Sequence, residues 1–458
     1  MARRIGHIAG TTTMKTPSTR ALRALALAFS LAAIRAGAQS DSGRRLSLRE
    51  AVQLAATGSD AIRAARFHTQ EMSAAADEKH AALLPRADAE WMDGGHSFNT
   101  ASFGIPFPGF SPHGSIIGPV RAIDIRGRIS APIFDAAARS DYRNAQAAVT
   151  RAGADADAAV QSVQLATASA YVRAERAEAQ LRARAADSLL AKQLLDIANG
   201  ELQAGTGVVL DVTRAQTQVA RVRAQLGAAR SERNRAQLEL LRTIGLPLTT
   251  SLILTDSLDS PVAVTPQPSA DDAVAEALRS RADVRAGADA VAASARAVSA
   301  MHAERYPDVS AFVDGGWTSA AYPYLQATHN YGIQLSYPIF DGSRRESRIA
   351  ERSAALHAAE GRQRALETSV AAEVRSALFE LTSASDQVSA ARDAVTLAET
   401  AVAQARDRFA TGVAGSGDVV SAQLELSAAR IQFVDALTAL QSARVSFASA
   451  QGHLANIP

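Results

Sequence analysis

Proline placement sets the outer limits of this fold. From Phe340 to Ile457 there is no proline, and the one break is Thr411-Gly412-Val413-Ala414-Gly415-Ser416-Gly417, followed by Asp418-Val419. Proline inside a helix removes a hydrogen bond and clashes with the preceding turn. A proline-free tract of this length therefore predicts two antiparallel helices meeting at a tip. The first, from about Asp341 to Phe409, would extend roughly 100 Å at 1.5 Å per residue, far beyond the needs of a globular core. A second proline-free tract runs from Ile133 to Leu246. Elsewhere prolines cluster from Pro106 to Pro119 and from Pro247 to Pro268, or stand singly at Pro85, Pro132, Pro307, Pro323 and Pro338.

The two tracts belong to a tandem repeat. Ser130-Ala131-Pro132-Ile133-Phe134-Asp135 recurs as Ser336-Tyr337-Pro338-Ile339-Phe340-Asp341 at an offset of 206. Gly205, Asp211, Val212, Ala215 and Gln216 match Gly412, Asp418, Val419, Ala422 and Gln423 at 207. Upstream, Ala51-Val52 matches Ala273-Val274 and Pro85 matches Pro307, both at 222. The length change therefore falls between the two strands of each half. Each half reads helix, strand, loop, strand, long helix, tip, helix. The expected first helices are Leu48 to Leu84, broken near Gly58, and Asp272 to Arg305. The expected strands are Arg86 to Gly95, Val120 to Ala131, Asp308 to Trp317 and Asn330 to Tyr337.

These strands alternate with period two. Ile123, Ile125, Gly127 and Ile129 fall on one face, with Asp124, Arg126, Arg128 and Ser130 on the other. Val309, Ala311, Val313, Gly315 and Trp317 follow the same rule, Phe312 being an exception. Such a pattern fits either a half-buried sheet or membrane-spanning strands of about 9–11 residues. Four strands cannot close a barrel alone, and lipid does not tolerate an open sheet edge. If the strands span a membrane, several chains share one barrel.

The helices carry a seven-residue period. Val419, Leu426, Phe433, Leu440 and Phe447 form one seam, and Ala422, Ala429, Ala436 and Ala443 the second. A sustained heptad specifies left-handed coiled-coil packing. In the first half, Val212, Val219 and Leu226 alternate with Ala215, Val222 and Ala229.

Residues 1–38 read as an export signal: Arg3, Arg4, Lys15, Arg20 and Arg23, a short apolar run from Ala24 to Ile34, and Ala36-Gly37-Ala38 as cleavage site. This segment holds six of the 48 basic residues and no acid, so its removal leaves 42 basic against 46 acidic residues. A nucleic-acid partner loses its electrostatic basis. The absence of cysteine excludes disulfides, thiolate metal sites and a lipidated N-terminal cysteine. No tract reaches the 18 apolar residues of a transmembrane helix. Histidines lack HExxH-type spacing, serines lack a Gly-x-Ser-x-Gly elbow, and Gly205-Thr206-Gly207 is followed by no phosphate-loop Lys. The chain is not expected to be an enzyme, and no cofactor or metal is expected.

The Pro-Ile-Phe-Asp junctions, the duplication and the two Gly-x5-Asp-Val tips, in this order, resemble the TolC-like outer-membrane efflux channels over essentially the whole mature chain. The resemblance implies a mainly α fold with a small β part: a long coiled-coil α-barrel, and four strands per chain contributing to a twelve-stranded transmembrane β-barrel of a homotrimer. It implies an outer-membrane location with a periplasmic extension in a Gram-negative type envelope. The function it implies is passive export together with a periplasmic adaptor and an inner-membrane pump. The domain boundaries are then 1–38 for the signal, 39–246 and 272–458 for the repeats, and 247–271 for the linker.

The same resemblance supplies the candidate sites. Asp418, with Ser421, Ala414 and Phe409, marks the pore constriction at the second tip. Family members carry a second acid where this chain has Ser421, an arginine at Ala414 and a tyrosine at Phe409, so the usual gate locks are altered. Asp418 either rings the pore or serves the N-terminus of the following helix. Gly205, Asp211, Gly412 and Asp418 mark adaptor docking, and Pro132, Asp135, Pro338 and Asp341 the strand–helix junctions. Trp91, Trp317, Tyr331 and Tyr337 are candidates for aromatic girdles. Two other readings remain: a non-conducting coiled-coil protein of the envelope, and a periplasmic adaptor.

Overall fold

The computed structural model describes residues 43–103, 114–259, 269–319 and 324–454. The segment expected to be an export signal and residues 260–268 of the expected linker lie outside the described residues. The first repeat comprises β1 (Arg44–Leu46), α1 (Leu48–Gly58), α2 (Asp60–Ala81), β2 (Arg86–Asn99), β3 (Ile116–Phe134), α3 (Ala136–Gln203) and α4 (Val209–Ile244). β4 (Leu252–Leu254) lies in the linker, and the second repeat comprises α5 (Ala270–Ser280), α6 (Ala282–Ala303), β5 (Asp308–Ser319), β6 (Gln326–Ser336), α7 (Arg344–Ala410) and α8 (Ser416–Ala450). The long helices α3 and α7 have 68 and 67 residues, each about 100 Å at 1.5 Å per residue. Among the described residues no helix is long and apolar enough to cross a membrane.

In each half a short helix stacks end to end on the returning helix. The carbonyl of Gly58, at the end of α1, lies where a Cβ on Gly245 would sit 3.2 Å away, and Gly245 ends α4 in the left-handed region at φ 81°. Gly452 ends α8 likewise at φ 75°, its missing Cβ 3.3 Å from the Cα of Arg281. A side chain at either joint would meet backbone, and the left-handed conformation favours glycine there.

Both first helices break. Ser59 and Arg281 are extended, with φ/ψ of −69/131° and −68/131°, and they stand 222 apart, the upstream repeat offset. The single helix expected over Asp272 to Arg305 is thus corrected to two, α5 and α6. No glycine or proline marks the second break. Arg281 holds it instead, donating to Asp283 at 2.8 Å, to Glu373 at 2.7 Å and to the Ala450 carbonyl at 3.3 Å. The strands also run longer than their alternation suggests. The parallel pair β1–β4 escapes periodicity altogether, because three residues carry no readable pattern.

The heptad seams are buried as their spacing requires. Val419 and Leu426 are buried, and Phe433, Leu440 and Phe447 pack partly buried beside them. Ala422, Ala429, Ala436 and Ala443 are all buried; the small side chain lets neighbouring helices approach closely. At mid-height the halves differ. In the first, the Tyr171 hydroxyl donates to the Leu46 carbonyl at 2.9 Å, inside a core with Leu240, Leu241 and Ile244. In the second, Ala377 stands at the position of Tyr171 and packs with Val370 and Val374.

Candidate functional site

The strands form one antiparallel sheet in the order β2-β3-β5-β6. Its register sorts the faces. Trp91 lies opposite Ile125, Ile125 opposite Trp317, Ile129 opposite Val313, Val313 opposite Tyr331, and Ala311 opposite Ile333. This face is mostly apolar yet exposed: Trp91, Trp317, Tyr331, Ile333 and Leu335 all project from it uncovered, with an Arg121–Asp93 ion pair on it toward the β2–β3 connection. The opposite face is polar. Arg126 donates to Asp314 at 2.5 Å and to Asp124 at 3.1 Å, and Asn330 donates to Asp314 at 3.0 Å. Phe312, which breaks the alternation, lies beside Gly332, where a Cβ would come 3.2 Å from the ring, with the Arg128 guanidinium 5.1 Å from its centroid. Glycine on β6 thus makes room for the Phe312 ring on the polar face. β2 and β6 are edge strands with one side unpaired.

The junctions differ between halves. Asp135 caps α3, its carboxylate accepting the Ala138 N–H at 2.7 Å, and Pro132 sits within β3. Pro338 lies beyond the end of β6, and α7 starts only at Arg344, after Gly342 and Ser343, both left-handed. Asp341 instead accepts from Arg345 Nε at 2.7 Å, while the other end of that guanidinium donates to the Pro338 carbonyl at 3.0 Å.

The tips share one backbone design. Gly205 and Gly412 are left-handed at φ 76° and 72°. The N–H groups of Thr206 and Gly207 reach the Glu201 carbonyl at 3.0 and 2.9 Å, and those of Val413 and Ala414 reach the Arg408 carbonyl at 2.9 and 3.1 Å. Such bonds satisfy the orphan carbonyls of a helix end. The side chains diverge. Asp211 accepts the Ser416 hydroxyl across the two tips and has Arg214 at 3.8 Å. Ser416 is fully buried, whereas its counterpart Val209 is 65% exposed. Burial, then the nearby Asp211 charge, raises the pKa of Glu201.

Asp418 is exposed on the first turn of α8, which starts at Ser416, and its carboxylate accepts no hydrogen bond among the described residues. Hydrogen-bond capping by Asp418 is therefore ruled out, leaving only its charge to act on the helix dipole. Ser421 is exposed and Ala414 half-buried. Phe409 is buried with Leu194, Ala198, Val212, Ala215 and Val419, where it joins the two hairpins. Ser416 is the tip residue that sequence reasoning passed over. Its signal was the replacement of Val209 by a hydroxyl at the repeat offset.

The family model for outer membrane efflux proteins matches residues 51–246 and 273–453. Among solved structures, VceC from Vibrio cholerae is similar with a TM-score of 0.72 at 17% identity, over 88% of this chain and 96% of that one. The Campylobacter jejuni CmeC channel gives 0.73 at 18% identity, over 89% and 85%. The open state of the Neisseria gonorrhoeae MtrE channel gives 0.71 at 17%, over 88% of each. No curated protein matches the sequence. The two matched stretches enclose both helical hairpins and the whole four-stranded sheet, and the chain belongs to the outer membrane efflux protein family.

Proposed function

We propose that three copies of this chain assemble into an export duct, each sheet supplying four strands to a twelve-stranded barrel in the outer membrane. One observation carries this reading: a four-stranded sheet whose two edges are unpaired and whose exposed face is mostly apolar. In lipid every backbone polar group needs an internal partner, so β6 of one copy must pair with β2 of the next. The polar face, with Arg126, Asp314 and Asn330, then lines the lumen, and the hairpins continue the passage through the periplasm. Transport along it is passive, driven by an inner-membrane pump that a periplasmic adaptor connects to the duct.

The tips take two roles in this proposal. Val208, Val209 and Leu210 are 63%, 65% and 55% exposed, an apolar step beside Gly205 that suits an adaptor, with Gly412 shaping the second contact. Asp418, free of protein partners, supplies three carboxylates around the axis and favours cations at the narrowest point. The Ser416–Asp211 contact latches the second hairpin onto the first, in place of the arginine and tyrosine that other family members use.

Reconstitution of the purified chain in planar bilayers tests the duct. Discrete cation-preferring conductance from a detergent-resistant trimer is expected. A stable chain that never conducts would leave only the structural coiled-coil reading.

A further inference from the structure

A cavity of about 570 Å³ opens where the strands meet the helices, lined by Leu83, Ile133, Arg139, Arg143, Arg296 and Tyr306 among others. That volume is in the range of small-ligand sites. Among the described residues, Arg139, Arg143 and Arg296 form no ion pair and no side-chain hydrogen bond. The carboxylate in the lining, Asp135, is occupied in capping α3. Other arginines nearby are matched with acids: Arg305 with Glu346 at 2.8 Å and Arg348 with Glu304 at 2.7 Å. The repeat sharpens the contrast. The counterpart of Arg139 at an offset of 206 is Arg345, which is held by Asp341, and the counterpart of Arg143 is Ile349. The free pair Arg139 and Arg143 is thus special to the first half, and Arg296 joins it from α6 of the second.

Its position indicates the ligand. Phe134, which lines the cavity, pairs with Val309 on the apolar strand face and is 44% exposed, and Tyr306, just before β5, is 63% exposed. A separate groove between α3, α6 and α7 is lined by Asn144, Arg151, Arg348 and Arg352. The cavity therefore adjoins the apolar face of the sheet, at the level where strands give way to helices. That is where hydrocarbon gives way to headgroups.

We propose that this cavity binds the phosphate of an anionic phospholipid from the leaflet facing the periplasm, with acyl chains running along the apolar strand face. Guanidinium forks suit phosphate oxygens, and the apolar rim suits the glycerol and first methylenes. The site would fasten the barrel at its correct depth.

Native mass spectrometry of the purified full-length protein in detergent tests this, with added phosphatidylglycerol or inorganic phosphate as probes. One retained phosphatidylglycerol per chain is expected, undisturbed by equimolar inorganic phosphate. Occupancy should fall at least about tenfold in R139Q/R143Q/R296Q, as expected when charge-assisted hydrogen bonds are lost. Unchanged occupancy in that variant overturns the proposal, and displacement by inorganic phosphate replaces it with a soluble-anion site. Should the triple variant fail to assemble, R143Q on the exposed helix face serves: a several-fold loss is expected, and an unchanged adduct overturns the proposal equally. Arg143→Lys should retain part of the binding, since it keeps the charge without the fork. Conductance is read separately, so failure here leaves the duct untouched.

Discussion

The two tips have the same backbone and opposite chemistry. Both end a long helix on a left-handed glycine and fold two N–H groups onto one carbonyl. Yet the first tip exposes Val208, Val209 and Leu210 and uses its aspartate internally, while the second buries Ser416 and leaves Asp418 free. Duplication fixes what the turn requires, because the geometry admits few residues. The side chains beside it are released for different tasks. The same division appears at mid-height, where Tyr171 and Glu175 in the first half face an apolar counterpart in the second.

The mid-height difference should give the largest effect. Glu175 is buried, one carboxylate oxygen lacks a hydrogen-bond partner, and burial followed by the Asp256 charge pushes its pKa up from 4.5 to about 7. The folded state therefore holds this proton more tightly than the unfolded chain, so stability falls as pH rises from about 4.5 through 7. At pH 8, Glu175→Gln should stabilise by up to about 3 kcal/mol, and below pH 4.5 by almost nothing. Thermal unfolding of both proteins across this range checks it; parallel pH profiles would erase the contrast between halves.

Ser416→Ala comes next. It removes the hydroxyl that Asp211 accepts and should cost about 2 kcal/mol, while Val209→Ala on the exposed first tip should cost under about 0.5 kcal/mol. Equal losses in chemical denaturation would mean that the tips are energetically alike. If the latch gates the duct, S416A should also raise the open fraction in single-channel recordings.

The tip glycines should behave as twins. Gly205→Ala and Gly412→Ala would meet nothing within 4 Å, so each pays only for the left-handed backbone, about 1 kcal/mol. Gly245→Ala, where the Cβ also approaches the Gly58 carbonyl, should cost more than either. Matching melting shifts at 205 and 412, with a larger one at 245, would support the shared backbone design.

Asp418→Ala should change stability least, by about 0.5 kcal/mol through the lost dipole interaction. Cation preference should nevertheless fall several-fold, whereas Asp211→Ala should leave it intact. If the two substitutions alter selectivity alike, the division of labour between the tips is wrong.

Much of this architecture was legible in advance. Period-two and period-seven patterns survive in sequence because each reflects one face of one element, as Ile123 to Ile129 and Val419 to Phe447 show. Proline gaps and the repeat offsets located the tips, and a glycine marked the break near Gly58. Less legible were features set by partners distant in sequence. Arg281 breaks a helix through Glu373 and Ala450; β1 exists because β4 reaches it; Ser416 finds Asp211 from the other hairpin; and Arg139, Arg143 and Arg296 share a cavity across two helices.

The sequence by itself determined the long helices, the four paired strands, their duplication and the family, because local sterics and hydrophobic periodicity act between near neighbours. Tertiary structure alone decided which of two equivalent aspartates stays free, which half carries a polar core, and which arginines go unpaired. Those outcomes depend on what lies opposite each side chain in space, and chain order does not encode that position locally.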